Sequence, residues 1–213
     1  MDRANKFTEI YKNNSFQGTE SISGPGSSLV TTETLRQELP KLLKDLGVKT
    51  LIDCPCGDFH WMSKVINNLG IDKYIGIDIV QSLVDKNNVK YSNDLISFIC
   101  KDAVEGLNFK GDLILCRDCL GHLSFNSVFK FFNNFINSDI TYLLVTTFTN
   151  EDRYNSNSED GVGSYAINLT KSPFNLPNPI FVLNENCPEG NGLFKDKSLG
   201  LWRRKDLLKY VAS

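Results

Sequence analysis

Between residues 48 and 148, short apolar runs alternate with amphipathic stretches, and this rhythm restricts the fold more than any other feature of the chain. Val48 to Asp53, Tyr74 to Asp78, Ser97 to Cys100, Asp112 to Cys116 and Ile140 to Phe148 read as five strands. Between them, Trp61, Met62, Val65, Ile66 and Leu69 recur at helical spacing, as do Val128, Phe129, Phe131, Phe132, Phe135 and Ile136; residues 80–88 form a shorter helical stretch. Alternation of this kind predicts a mostly parallel sheet with helices on both faces. Two later runs, Ile180 to Leu183 and Ser198 to Trp202, predict a terminal antiparallel pair, for a seven-stranded sheet inside a three-layer α/β sandwich.

Ahead of the alternation, Leu35, Leu39, Leu42, Leu43 and Leu46 mark a helix that Gly47 stops, with Thr34 and Gln37 in capping-box positions. Pro40 lies inside it and predicts a kink or two short helices. Residues 1–30 read as a leader laid over the site; Ser23-Gly24-Pro25-Gly26-Ser27-Ser28 is too rich in glycine and proline for a helix. Residues 31–213 then make the domain proper, a length that suits one domain. The polar segment 149–164 breaks the rhythm, and loops of that length are commonly lids.

Composition narrows the function. Lys and Arg number 23 against 25 Asp and Glu, so the chain lacks the basic surplus of a nucleic-acid binder. It shows neither a signal-peptide pattern nor an apolar run of membrane-spanning length, which points to the cytoplasm. The six cysteines then read as buried reduced thiols. Cys54, Cys56, Cys116 and Cys119 follow strands expected to be neighbours, and four thiolates would suit zinc. Such a metal would occupy the ligand pocket, and Cys-x-Cys is a poor half of a structural zinc site, so no metal is expected. Two glycosylation sequons, at Asn13 and Asn168, read as chance matches.

In an open parallel sheet, ligands bind beyond the carboxyl ends of the strands. There the chain carries Asp53, then Cys54-Pro55-Cys56-Gly57-Asp58-Phe59 as a tight turn, then Asp78, Asp102 and Asp118 after the next three strands. An acid at the end of the second strand suits ribose hydroxyls, while backbone N–H groups near Gly57 face the rest of a nucleoside ligand. The turn has one glycine only and two acids beside it, which would repel a pyrophosphate and suit a sulfonium with an α-amino group.

These segments resemble the motifs of class I S-adenosylmethionine-dependent methyltransferases, Rossmann-like enzymes. Leu51 to Phe59 is similar to the first motif, Tyr74 to Asp78 to the second, Cys100-Lys101-Asp102-Ala103 to the third, and Asp112 to Leu123 to the fourth. The likeness extends from Ser-Gly-Pro-Gly-Ser at 23–27 to Leu-Gly-Leu-Trp at 199–202, as in a small subfamily with a Pro-Cys-Gly-Asp first motif. Pro55 stands where the family usually has glycine, so the amino-acid end of the cofactor would be held differently, with help from Gly24-Pro25-Gly26. The resemblance implies S-adenosylmethionine as cofactor. It puts Asp53 and Gly57 against the methionine moiety, Asp78 at the ribose, and Asp102 at the adenine amino group with Ala103 beside the ring, and it counts Gly26, Cys56, Asp58, Ile79 and Arg117 among the cofactor-binding residues.

The acceptor should lie past the fourth and fifth strands, near Arg117, Asp118, His122, Thr146 and Thr147. His122 and Asp118 are the candidate bases. The polar loop 149–164 favours a small polar acceptor such as a sugar, nucleotide sugar or glycan. No Asp-Pro-Pro-Tyr or Asn-Pro-Pro-Tyr element follows the fourth strand, so base-amino methylation loses its usual signature. The competing readings are a protein or nucleic-acid methyltransferase, and a cofactor-binding module without catalysis.

Overall fold

The computed structural model describes residues 2–208. Seven strands, β1 (Thr50–Asp53), β2 (Lys73–Asp78), β3 (Ile96–Cys100), β4 (Lys110–Cys116), β5 (Asp139–Phe148), β6 (Phe181–Asn184) and β7 (Lys197–Arg203), form one sheet in the order β3-β2-β1-β4-β5-β7-β6. The first five pair in parallel. Strand β7 runs antiparallel to both β5 and β6, so the expected late pair forms and joins the sheet through its second member. Helices α1 (Arg3–Lys12), α2 (Glu33–Asp45), α3 (Gln81–Tyr91), α4 (Phe125–Ile136) and α5 (Arg204–Leu207) complete the molecule.

Strand alternation sends successive side chains to opposite faces and builds two cores. Ile52, Ile114 and Cys116 join Phe131, Phe132 and Phe135 of α4 on one face. Leu51, Leu113 and Leu115 join Leu35, Leu39 and Leu43 of α2 on the other. The expected three-layer α/β sandwich is therefore present.

Several local expectations are corrected. Helix α2 runs through Pro40 as one helix and is not split in two. An interior proline costs about 3 kcal/mol, but three leucines with no exposure contribute ~1.5–3 kcal/mol each and outweigh it. The capping box at Thr34 does not form: the helix begins after Thr32 without a side-chain cap, and Thr34 Oγ1 accepts a bond from Asn186 instead. Trp61 to Leu69 is two 3-10 turns, Met62–Lys64 and Ile66–Asn68, instead of one α-helix. Trp61, Met62, Val65, Ile66 and Leu69 are nonetheless buried in the second core, so the periodicity marked burial correctly. The leader also contains more structure than expected: α1 itself, and a single 3-10 turn at Pro25–Ser27.

The chain between β5 and β6 holds no helix or strand, yet many polar bonds fix it. Gly161 N–H donates to the His122 carbonyl and Tyr165 N–H to that of Gly121. Gly121 must be glycine, because a Cβ there would lie 2.5 Å from the Tyr165 carbonyl oxygen. At the sheet's edge, Ile180, Phe181 and Val182 are each over two-fifths exposed. Among the described residues, no helix is long and apolar enough to cross a membrane.

Candidate active site

A cavity of about 480 Å³ opens beyond the carboxyl ends of the parallel strands, within the ~300–1,000 Å³ usual for small-molecule sites. The turns after β1 to β4 line it, together with α1, residues 22–27 of the leader and residues 164–167.

The turn after β1 is built on backbone. Gly57 has φ +54° and a Cβ there would meet Ser23 Oγ at 2.2 Å, so only glycine fits. Gly57 N–H donates to Asp78 Oδ2 at 3.1 Å, Asn87 donates to the Gly57 carbonyl at 2.8 Å, and Cys56 N–H donates to the Ile77 carbonyl at 2.9 Å. Asp78 Oδ1 accepts the Val80 N–H at 3.0 Å. Asp53 Oδ2 accepts the Tyr74 hydroxyl at 2.6 Å. Burial pushes the Asp53 carboxyl up to about 7 against the opposing pull of Tyr74 and Arg117. Burial also raises Asp78, against the N–H groups of Val80 and Gly57. Two buried carboxyls thus line one wall with too little positive charge nearby, a donor set that fits a cationic ligand.

Asp58 lines the cavity and also holds the leader. Its carboxylate accepts bonds from Ser21 Oγ at 2.8 Å, Ile22 N–H at 3.1 Å and Ser23 Oγ at 3.3 Å. It therefore pins the leader across the turn. Asp102 is likewise engaged: Oδ1 accepts the Val104 N–H at 2.8 Å, and Oδ2 meets the Arg3 guanidinium of α1. Arg3 also reaches Asp160 Oδ2 at 2.9 Å and Ser127 Oγ at 3.2 Å. Ile79, Ala103 and Cys56 face the cavity. Burial raises the thiols of Cys54, Cys56 and Cys116 well above their ordinary value, so they stay protonated. Among the described residues, no cluster of His, Cys, Asp or Glu has the arrangement of a metal site.

At the far end, Arg117 is buried beneath Asp118, and Glu185 accepts from its Nε and Nη2 at 3.1 and 2.7 Å. Asp118 has φ +51°, and its N–H donates to Thr146 Oγ1 at 2.9 Å. Lys197 Nζ donates to Asp118 Oδ2 at 2.5 Å. Burial would raise the Asp118 carboxyl, but Arg117 and Lys197 outweigh it and hold it down to about 2. A Cβ on Gly26 would lie 3.1 Å from Asp118 Oδ2, so the leader reaches this end too. His122 Nδ1 lies 2.9 Å from the Gly163 carbonyl oxygen, and its ring packs on Phe16 at 4.9 Å. A carbonyl can only accept, so Nδ1 donates in this contact, and in the neutral ring Nε2 is then the acceptor.

Sequence reasoning passed over Arg3, Tyr74, Glu185 and Lys197. Tyr74 stood inside the second motif as a strand residue, and Lys197 immediately precedes an apolar run, where a lysine reads as a solvated strand end.

Neither a comparison with protein-family models nor one with curated proteins gives a match. Solved structures do match. The Burkholderia thailandensis 1,6-didemethyltoxoflavin-N1-methyltransferase, with bound 1,6-didemethyltoxoflavin and S-adenosylhomocysteine, superposes with a TM-score of 0.62 at 12% identity, over 94% of this chain and 86% of that one. The chain has the fold of class I S-adenosylmethionine-dependent methyltransferases. The pyocyanin biosynthetic protein PhzM gives a TM-score of 0.58 at 12% identity, over 81% of this chain and 55% of that one. Human N-acetylserotonin methyltransferase in complex with S-adenosylmethionine gives 0.53 at 14%, over 73% and 45%.

Proposed function

We propose that the chain is an S-adenosylmethionine-dependent methyltransferase that methylates a hydroxyl of a small, polar, carbohydrate-like acceptor. The observation that carries this reading is the pair of buried carboxyls, Asp53 and Asp78, flanking the Gly57 turn in a cavity that runs on to His122. Two of the proteins of like fold are, by their descriptions, methyltransferases of small molecules, and the third is a pyocyanin biosynthetic protein, which agrees with a small acceptor.

The bound cofactor supplies a methyl group activated on a sulfonium. In this reading Asp78 accepts the ribose hydroxyls, and Asp53 and Cys56 lie against the methionine moiety beside Gly57. Ile79 and Ala103 flank the nucleoside. Asp102 serves the adenine amino group only if Oδ2 is shared with or released by Arg3. Gly26, Asp58 and Arg117 act around the cofactor by holding the leader and the charged far wall in place. Pro55, in the place of the usual glycine, makes this first turn the subfamily's variant.

Of the two candidate bases, His122 is favoured. Its Nε2 is free to take the hydroxyl proton as the methyl group moves. Asp118, held down to about 2, is a weak base and better suited to stabilising the imidazolium that results. Most of the rate would come from positioning two reactants in one enclosed site.

A cavity covered by α1 and the leader favours a small acceptor over a protein or nucleic acid. Calorimetric titration with S-adenosylmethionine is the test. Micromolar binding that weakens by roughly 5- to 150-fold in Asp78→Ala, the effect of a lost charge-assisted bond, supports the reading. No binding at millimolar cofactor overturns it.

A further inference from the structure

Past its cofactor half, the cavity ends against β5 and β7 in a charge cluster that methyl transfer as such does not require. Arg117 and Lys197 face Asp118 and Glu185, two cations against two carboxylates on side chains at least two-thirds covered, and Glu189 Oε2 adds a third carboxylate to the same wall, beside Gly26. The contacts on Asp118 are one-sided. Arg117 Nη1 lies 3.1 Å from Oδ2, Lys197 Nζ lies 2.5 Å from the same oxygen, and the Gly26 backbone covers it. Among the described residues, no hydrogen bond reaches Oδ1. Lys197 has three N–H donors and makes one hydrogen bond, to Asp118; its nearest approach to Glu185 is 3.9 Å. Asp118 and Lys197 both line the cavity, so a spare acceptor and spare donors stand side by side on its wall.

Charge balance decides what such a pair can take. A carboxylate placed here meets Asp118 and Glu189 at close range, and an ammonium meets Lys197 and Arg117. A neutral molecule with two adjacent hydroxyls satisfies both partners, one hydroxyl donating to Asp118 Oδ1 and the next accepting from Lys197. Aromatic faces are also at hand for its C–H surfaces. Phe148 and Phe194 pack edge-on at 5.9 Å, Phe16 packs on His122, and all four line the cavity.

We infer that Asp118 and Lys197 form a hydroxyl-reading subsite that selects neutral acceptors carrying two neighbouring hydroxyls. This rests on the methyltransferase reading and gives Asp118 a binding role alongside its effect on His122.

The test uses the full chain saturated with S-adenosylhomocysteine, whose affinity is first measured by calorimetry. Ligand-observed NMR then gives dissociation constants for cis-1,2-cyclohexanediol, myo-inositol, cyclohexanol, benzylamine and benzoate. The two polyols should bind tenfold to 150-fold more tightly than cyclohexanol, the range for a hydrogen bond to a charged group. Lys197→Met should erase that preference while S-adenosylhomocysteine affinity stays within twofold. Equal binding of cyclohexanol, preference for benzylamine or benzoate, no binding of any probe, or an intact preference in Lys197→Met overturns the inference. The wild-type comparison decides alone if Lys197→Met does not fold. Failure to bind S-adenosylhomocysteine instead overturns the methyltransferase reading and is seen before any probe is added.

Discussion

Asp53 and Asp118 lie in one cavity and are pushed in opposite directions, up to about 7 by burial and down to about 2 by Arg117 and Lys197. For Asp53 the folded value is above the unfolded one, so its contribution to stability is full at acid pH and is lost as pH rises through about 7. A cationic ligand needs the carboxylate, so cofactor affinity should run the other way. It should climb up to tenfold per pH unit towards pH 7 and then level off, with proton release visible when calorimetry is repeated in buffers of different ionisation enthalpy. Asp53→Asn should abolish the release. At His122, replacement by alanine should slow single-turnover methyl transfer by ~10²–10⁴ with cofactor affinity unchanged, and a loss under tenfold would leave catalysis to positioning alone. That Asp53, Asp78 and His122 line the cavity was legible in the sequence, because the first two end recognisable strands and the third follows one. Lys197 and Glu185 were not legible, since nothing local distinguishes a buried ion-pair member from a solvated one. Their partners Asp118 and Arg117 lie 79 and 68 positions away.

Elements were legible where an apolar stripe met a core. Strands β1 to β5 and helices α3 and α4 lie close to where the alternation put them, because each buries the residues that signalled it. Helix α1 escaped notice because none of its residues is buried. Its Phe7, Ile10 and Tyr11 line the cavity, and Phe7 also packs, partly buried, on the core of the α4 face. Polar contacts hold it: Arg3 to Asp102 and Asp160, Lys6 to Glu159 at 3.2 Å, and the Tyr11 hydroxyl accepting from Lys86 at 2.8 Å. Such contacts contribute little to global stability but fix a local position. Arg3→Ala should therefore leave the thermal midpoint within a few degrees while chymotrypsin cleavage after Phe7 and Tyr11 accelerates several-fold. Saturating cofactor should slow that cleavage in the wild-type protein if α1 closes over it.

At the scale of the molecule, the sheet and its two cores are the rigid part. Phe132 has no exposed surface and belongs to the core on the α4 face, so Phe132→Ala should cost ~3–5 kcal/mol in chemical denaturation. The cavity's cover is assembled separately, from segments distant in sequence. Arg3 joins Asp102 and Asp160, 99 and 157 positions further along. On a ribosome adding ~5–20 residues per second, the second of these partners emerges roughly 8–30 seconds after the arginine. Helix α1 is thus made before both of its partners, and its full set of ion pairs cannot form until Asp160 has emerged. A ligand that met the growing chain before then would find this side of the cavity without its arginine clamp.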